Sequence, residues 1–198
     1  MITDYASLRT AIANWLARAD LSAAIPEFIQ LAEANMNRDL NARQRQVEVA
    51  DTSSGGVIPI PADLYGIQSL RVARGGGFFR IGAVTPDQQY DMPSVPVAYT
   101  VVNEEIRLIG TADTDYKLIY RRQIPALGES APQNWLILRE PGLYLYGALV
   151  EASPYLKDDE RTLVWATQYR RILDACNAQY DLERFGPSST QKVDFRAP

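Results

Sequence analysis

At 198 residues, 46% hydrophobic and 22% charged, the chain has the size and apolar content of one domain, or of one domain carrying a large insertion. The absence of histidine and the single cysteine, Cys176, exclude an internal disulfide, a cysteine zinc site, histidine acid–base catalysis and the Ser-His-Asp and Cys-His nucleophiles. A net charge of −4 and a pI near 4.9 argue against a protein that grips duplex DNA, and no apolar run reaches the roughly 18 residues of a spanning helix.

The N-terminal MITDYASLRT lacks a basic region followed by an apolar stretch, so no secretory signal is expected and the chain reads as soluble and intracellular. From Thr3 to about Arg18 the pattern predicts an amphipathic helix. Thr3 serves as N-cap, Asp4 lies at the positive end of the dipole, and Leu8, Ile12, Trp15, Leu16 and Ala19 form one stripe. A second helix starts near Ala24, with Pro26 in its first turn. Its stripe is Ile25, Phe28, Ile29, Ala32, Met36 and Leu40, with Glu27, Glu33, Asn37 and Asp39 facing outward. The short connection predicts an antiparallel helical hairpin.

Beyond Arg43 the period changes. Five or six short strands are predicted among Gln46–Val49, Gln68–Ala73, Phe78–Ile81, Ala98–Val102, Ile106–Ile109, Tyr116–Tyr120 and the proline-extended Val57–Pro61. Gly75-Gly76-Gly77 joins two of them as a hairpin, and Thr85-Pro86-Asp87-Gln88 reads as a capped helical turn. Helical periodicity returns after Pro141. Leu143 to Val150 has no clear solvent face, so it must be covered on several sides, by a core or by neighbouring subunits. Ser153-Pro154 ends it. A last helix starts at Asp158, with Asp159 and Glu160 in its first turn, and carries Leu163, Ala166, Tyr169 or Arg170, Leu173, Cys176 and Tyr180 towards Arg184. Gly186-Pro187 stops it, and Ser188 to Pro198 has no core-forming pattern.

The fold class is therefore α+β. A four-helix module, 1–42 and 133–186, carries an inserted antiparallel sheet or sandwich, 43–132, and an extended C-terminal arm, 187–198.

The residues that could carry chemistry read more simply as structure. The glycine triplet leads into a strand, whereas a phosphate loop needs Lys-Ser/Thr opening a helix. Glu104-Glu105 and Asp113/Asp115 sit at turns, and Asp158-Asp159-Glu160 at a helix start, where carboxylates favour backbone N–H groups. Arg43/Arg45 and Arg121-Arg122 are too sparse in an acidic chain for a nucleic-acid site. Cys176 lies on an apolar stripe as an inert thiol. Tyr144, Tyr146 and Tyr155 could stack on bases but read better as core or subunit interface.

Four stretches in order resemble the head–tail adaptor (connector) subunits of tailed bacteriophages. They are Tyr5–Leu16 with Ile25–Arg38, Ile60-Pro61-Ala62-Asp63-Leu64, Asn134-Trp135-Leu136 with Pro141–Leu149, and Glu151–Glu160 running into Trp165. Among these it resembles the tail tubular A proteins of short-tailed phages. The resemblance implies a non-enzymatic virion protein made in the host cytoplasm, with no cofactor, no metal and no membrane contact. It implies a dodecameric homo-oligomeric ring between the portal protein and the tail nozzle or tail tube protein, touching channel DNA only passively. Tyr144, Leu145, Tyr146 and Leu149 are then expected at the subunit interface, and Val193, Asp194, Phe195 and Arg196 in a docking arm. The competing expectation is a non-enzymatic module that recognises a peptide or polysaccharide through the β insert.

Overall fold

The computed structural model describes residues 1–86, 94–110, 113–156 and 160–185. The expected turn at Asp87-Gln88, the start of the last helix at Asp158-Asp159 and the arm residues Val193, Asp194, Phe195 and Arg196 lie outside them. The chain forms two compact units. A helical unit comprises Met1–Gln44 with the chain from Ile124 onward, and a sheet unit comprises Arg45–Gln123. The sheet unit stops short of residue 132 because Ile124 and Leu127 are buried in the helical core.

In the helical unit, α1 (Tyr5–Leu16) is capped by Asp4 rather than Thr3. Asp4 Oδ1 accepts the Ser7 N–H at 2.7 Å while Ser7 Oγ accepts the Asp4 N–H at 3.1 Å. This reciprocal pair satisfies two donors that the helix itself leaves unmade. The cap also holds the Asp4 carboxyl below its ordinary range, through the Ser7 backbone bond first. Tyr5, Leu8, Ile12 and Leu16 are buried, but Trp15 is half exposed and meets Tyr146 edge-on at 5.7 Å. Helix α2 (Ile25–Asp39) buries the expected stripe of Ile25, Phe28, Ile29, Ala32 and Met36. Two of its polar residues face inward, against expectation: Glu33 is buried, and Asn37 Oδ1 accepts the Ile124 N–H at 2.8 Å.

The C-terminal half holds three helices instead of two, making five in the described residues. A short α3 (Trp135–Arg139) is capped by Asn134, whose Oδ1 accepts the Leu136 and Ile137 N–H groups. It runs into α4 (Pro141–Glu151), which ends just before Ser153-Pro154 as expected, and that pair opens a separate 3₁₀ turn with proline in its first positions. Helix α5 (Arg161–Phe185) follows.

The sheet unit has seven strands: β1 (Gln46–Thr52), β2 (Val57–Pro59), β3 (Leu64–Arg74), β4 (Gly77–Ala83), β5 (Ala98–Val102), β6 (Glu105–Ile109) and β7 (Asp115–Arg122). Their order is β1-β7-β3-β4-β5-β6-β2, antiparallel except for β4 and β5, which pair in parallel at Gly82–Ala98 and Ala83–Tyr99. The expected all-antiparallel sheet is corrected at that one junction. Alternation along β7 buries Tyr116, Leu118 and Tyr120, which join Leu70, Val72, Ile81 and Ile106 in a core of this unit's own.

The two edge strands are consecutive in the chain. Laid flat, seven strands would separate them by about 29 Å, six spacings of about 4.8 Å. The link from Thr52 to Val57 reaches at most about 18 Å, so the sheet must curl towards closure. The turn residues stitch this seam. Gly56, at φ 71°, donates its N–H to Asp113 Oδ1 at 2.9 Å and accepts the Leu108 N–H at 2.8 Å, while Ser53 and Thr114 exchange two further bonds. The result is a near-barrel.

Candidate assembly surface

Helix α4 is the hub of the helical unit, touching α1, α2, α3 and α5. That is why its sequence has no solvent face. Tyr144, Leu145 and Leu149 are buried by the chain's own helices, and Tyr146 is partly covered against the same core. Three of the four residues expected at a subunit interface are thus internal packing, with Tyr146 at the margin of the core beside Trp15. The close fit shows at Gly147, where a Cβ would stand 3.2 Å from Ala32 Cβ on α2, 3.2 Å from Tyr169 Cε2 on α5 and 3.4 Å from Met36 Cε.

A polar cluster crosses this core. Glu33 Oε1 on α2 accepts the Leu127 N–H at 2.8 Å and the Tyr144 hydroxyl at 3.2 Å. Asn134 Nδ2 donates to the Tyr144 oxygen at 2.7 Å and to the Pro125 carbonyl at 2.6 Å. Burial raises the Glu33 carboxyl above its ordinary range, opposed by the Leu127 and Tyr144 bonds, and burial also pushes the Tyr144 phenol far up. The tyrosine stays neutral and donates. The cluster joins α2, α4, the α3 cap and the segment that re-enters from the sheet unit, so its chemistry is that of a structural clamp.

The carboxylates at turns do what turns require. Asp113 holds Gly56, Asp115 accepts from Thr52 Oγ1 at 2.6 Å, and Glu105 pairs with Arg107 at 3.2 Å along the same strand, β6. Arg45, fully buried, donates through Nε to the Arg122 carbonyl at 3.0 Å and stacks on Tyr65 with Arg121. Burial lowers its guanidinium to about 10, with the Arg121 charge adding to the effect. Cys176 lines a groove of about 560 Å³ among Leu40, Trp135, Ile172 and Tyr180, where burial raises its thiol.

The helical unit leaves several large apolar side chains uncovered. On α5, Leu163 is 76% exposed and Val164 58%, because Trp165, Tyr169, Ile172, Leu173 and Cys176 carry the inward face. Leu163 therefore leaves the stripe predicted for it. On α2, Leu31 is 51% exposed, two residues before buried Glu33. Sequence periodicity located the buried stripe of α2 and left Leu31 off it, but it placed Leu163 on the inward stripe of the last helix.

No helix among the described residues is long and apolar enough to cross a membrane. No curated protein matches the chain. The family model described as SU10 adaptor protein matches residues 3–191, nearly the whole chain and both compact units. The chain belongs to the SU10 adaptor protein family and is a structural adaptor of bacteriophage virions.

Proposed function

We propose that this adaptor acts without catalysis, as the repeating subunit of a ring that joins portal to tail nozzle or tail tube around the DNA exit channel. In this reading it is a counterpart of the tail tubular A proteins, with twelve copies to the ring. The observation that carries the proposal is the pairing of a self-sufficient helical core with large apolar side chains left on two of its helices, Leu31 on α2 and Leu163 with Val164 on α5. A subunit in a closed ring presents two different faces to two neighbours, and apolar residues outside a complete core suit such contacts. The acidic balance of the chain suits a channel wall that must release DNA. Val193, Asp194, Phe195 and Arg196 serve in this reading as an arm that reaches a neighbouring component.

The test is imaging of the purified chain mixed with its portal protein. Rings of the adaptor seated on the portal are the expected result, and Leu31→Asp or Leu163→Asp should prevent them while leaving the monomer folded. A folded chain that never forms a ring on the portal overturns the proposal.

A further inference from the structure

Strand register places three cations side by side on the outward face of the sheet. Arg71 on β3 lies opposite Arg80 on β4 and, on its other side, opposite Lys117 on β7. Residues directly opposite in antiparallel strands share a face. Here the flanking residues Leu70, Val72, Ile81, Tyr116 and Leu118 are buried on the other face, so the three cations point away from the core. Opposed Cα atoms stand about 4.5–5.5 Å apart, well inside the screening length of physiological salt.

Like charges opposed in this way work against the sheet, and the chain does little to relieve them. Arg80 reaches the Gln68 carbonyl at 3.4 Å. Lys117 lies 4.8 Å over the Phe78 ring and 4.0 Å from Glu48. Arg71 makes no ion pair among the described residues. Asp115, two positions along β7 on the same face, is engaged by Thr52. A chain of net charge −4 has carboxylates to spare, yet among the described residues none pairs with the two arginines of this row.

We infer that this face docks an acidic protein segment whose carboxylates lie across Arg71, Arg80 and Lys117. Guanidinium groups take carboxylates in paired, charge-assisted bonds, and covering the row removes the repulsion the fold carries alone. A protein segment fits better than nucleic acid. The row is only about 10 Å long, enough for two or three phosphates, well short of the roughly six to ten phosphate contacts of a protein that grips duplex DNA. The inference is independent of the ring proposal and does not need a ring for its test.

The full-length chain is titrated with a fluorescent poly-glutamate peptide and, separately, with a DNA duplex of matched charge. Binding of the peptide should weaken about tenfold or more between about 50 and 200 mM salt. Arg71→Ser/Arg80→Ser should lose about tenfold or more of the peptide affinity while melting at the same temperature or higher, the signature of cations kept for binding at a cost to the fold. Arg170→Ser/Arg171→Ser, a basic pair on α5, should bind as the wild type does. Unchanged peptide affinity in the β3/β4 variant, or a lowered melting temperature, overturns the inference. Tighter binding of the duplex than of the peptide also overturns it, in favour of a nucleic-acid surface.

Discussion

Replacing Glu33 tests the helical core at its most unusual point. The residue is 6% exposed, makes no ion pair among the described residues, and accepts two hydrogen bonds on one carboxylate oxygen. Burial lifts its carboxyl above the ordinary 4.5, so the folded state holds the proton more tightly than the unfolded state. The stabilising contribution is then complete below the unfolded value and is lost as pH rises through the raised folded value. Glu33→Gln removes the titration and keeps an amide oxygen for the Leu127 N–H. It should flatten this part of the stability–pH curve and leave stability near pH 7 equal to or above that of the wild type. Glu33→Ala orphans the buried Leu127 N–H and takes an acceptor from Tyr144. With about 1–3 kcal/mol for each of the two buried groups left unmade, the loss should be about 2–6 kcal/mol. That corresponds to a melting temperature lower by about 5–15 °C in a chain of this size. Urea unfolding of the three proteins between about pH 5 and 8 measures both effects. A Gln variant that keeps the wild-type pH slope, or an Ala variant as stable as the wild type, would refute the buried, unpaired carboxylate.

Four further outcomes are expected. At Gly110 a Cβ would stand 2.7 Å from Pro96 Cα and N, so Gly110→Ala must displace backbone and should cost about 1–3 kcal/mol in urea unfolding. Gly147→Ala meets its neighbours at 3.2–3.4 Å, a crowding that shifts of a few tenths of an ångström relieve, and gains helix propensity, so its loss should be the smaller of the two. Leu149→Asp places a carboxylate in the core at a cost of several kcal/mol, and should abolish the folded monomer by circular dichroism rather than merely prevent assembly. Cys176 should react slowly with a disulfide reagent near pH 8 in the native chain, and about tenfold or more faster in denaturant, since the thiolate is the reacting form.

Local periodicity carried the sequence reading a long way. The stripe of α2 and the strand cores at Leu70–Val72 and Tyr116–Tyr120 were legible because apolar residues recur at helix or strand spacing. What depended on contacts between distant segments was not. Glu33 reads as solvated because its charge is visible in sequence, while the Leu127 N–H and Tyr144 hydroxyl that satisfy it lie far along the chain. The apolar run of α4 reads equally as core or interface, and only the packing of four helices around it decides for core. Leu163 fits a stripe by spacing alone, but Trp165 and Tyr169 set the inward face two residues later. Strands announce themselves locally but not their neighbours, so neither the parallel β4–β5 contact nor the row of Arg71, Arg80 and Lys117 could be foreseen.

The first and last strands of the sheet unit, β1 and β7, pair antiparallel, with Gln46 opposite Arg121. The long excursion from Gln44 to Ile124 therefore begins and ends at nearly one point. To the helical core, such an excursion costs little more loop-closure entropy than a short turn would, because the insert ties its own ends together. Selection can lengthen, recharge or exchange this cassette without asking Glu33, Tyr144 or Gly147 to change. One adaptor architecture can thus keep its bundle while the surface of its sheet is rewritten.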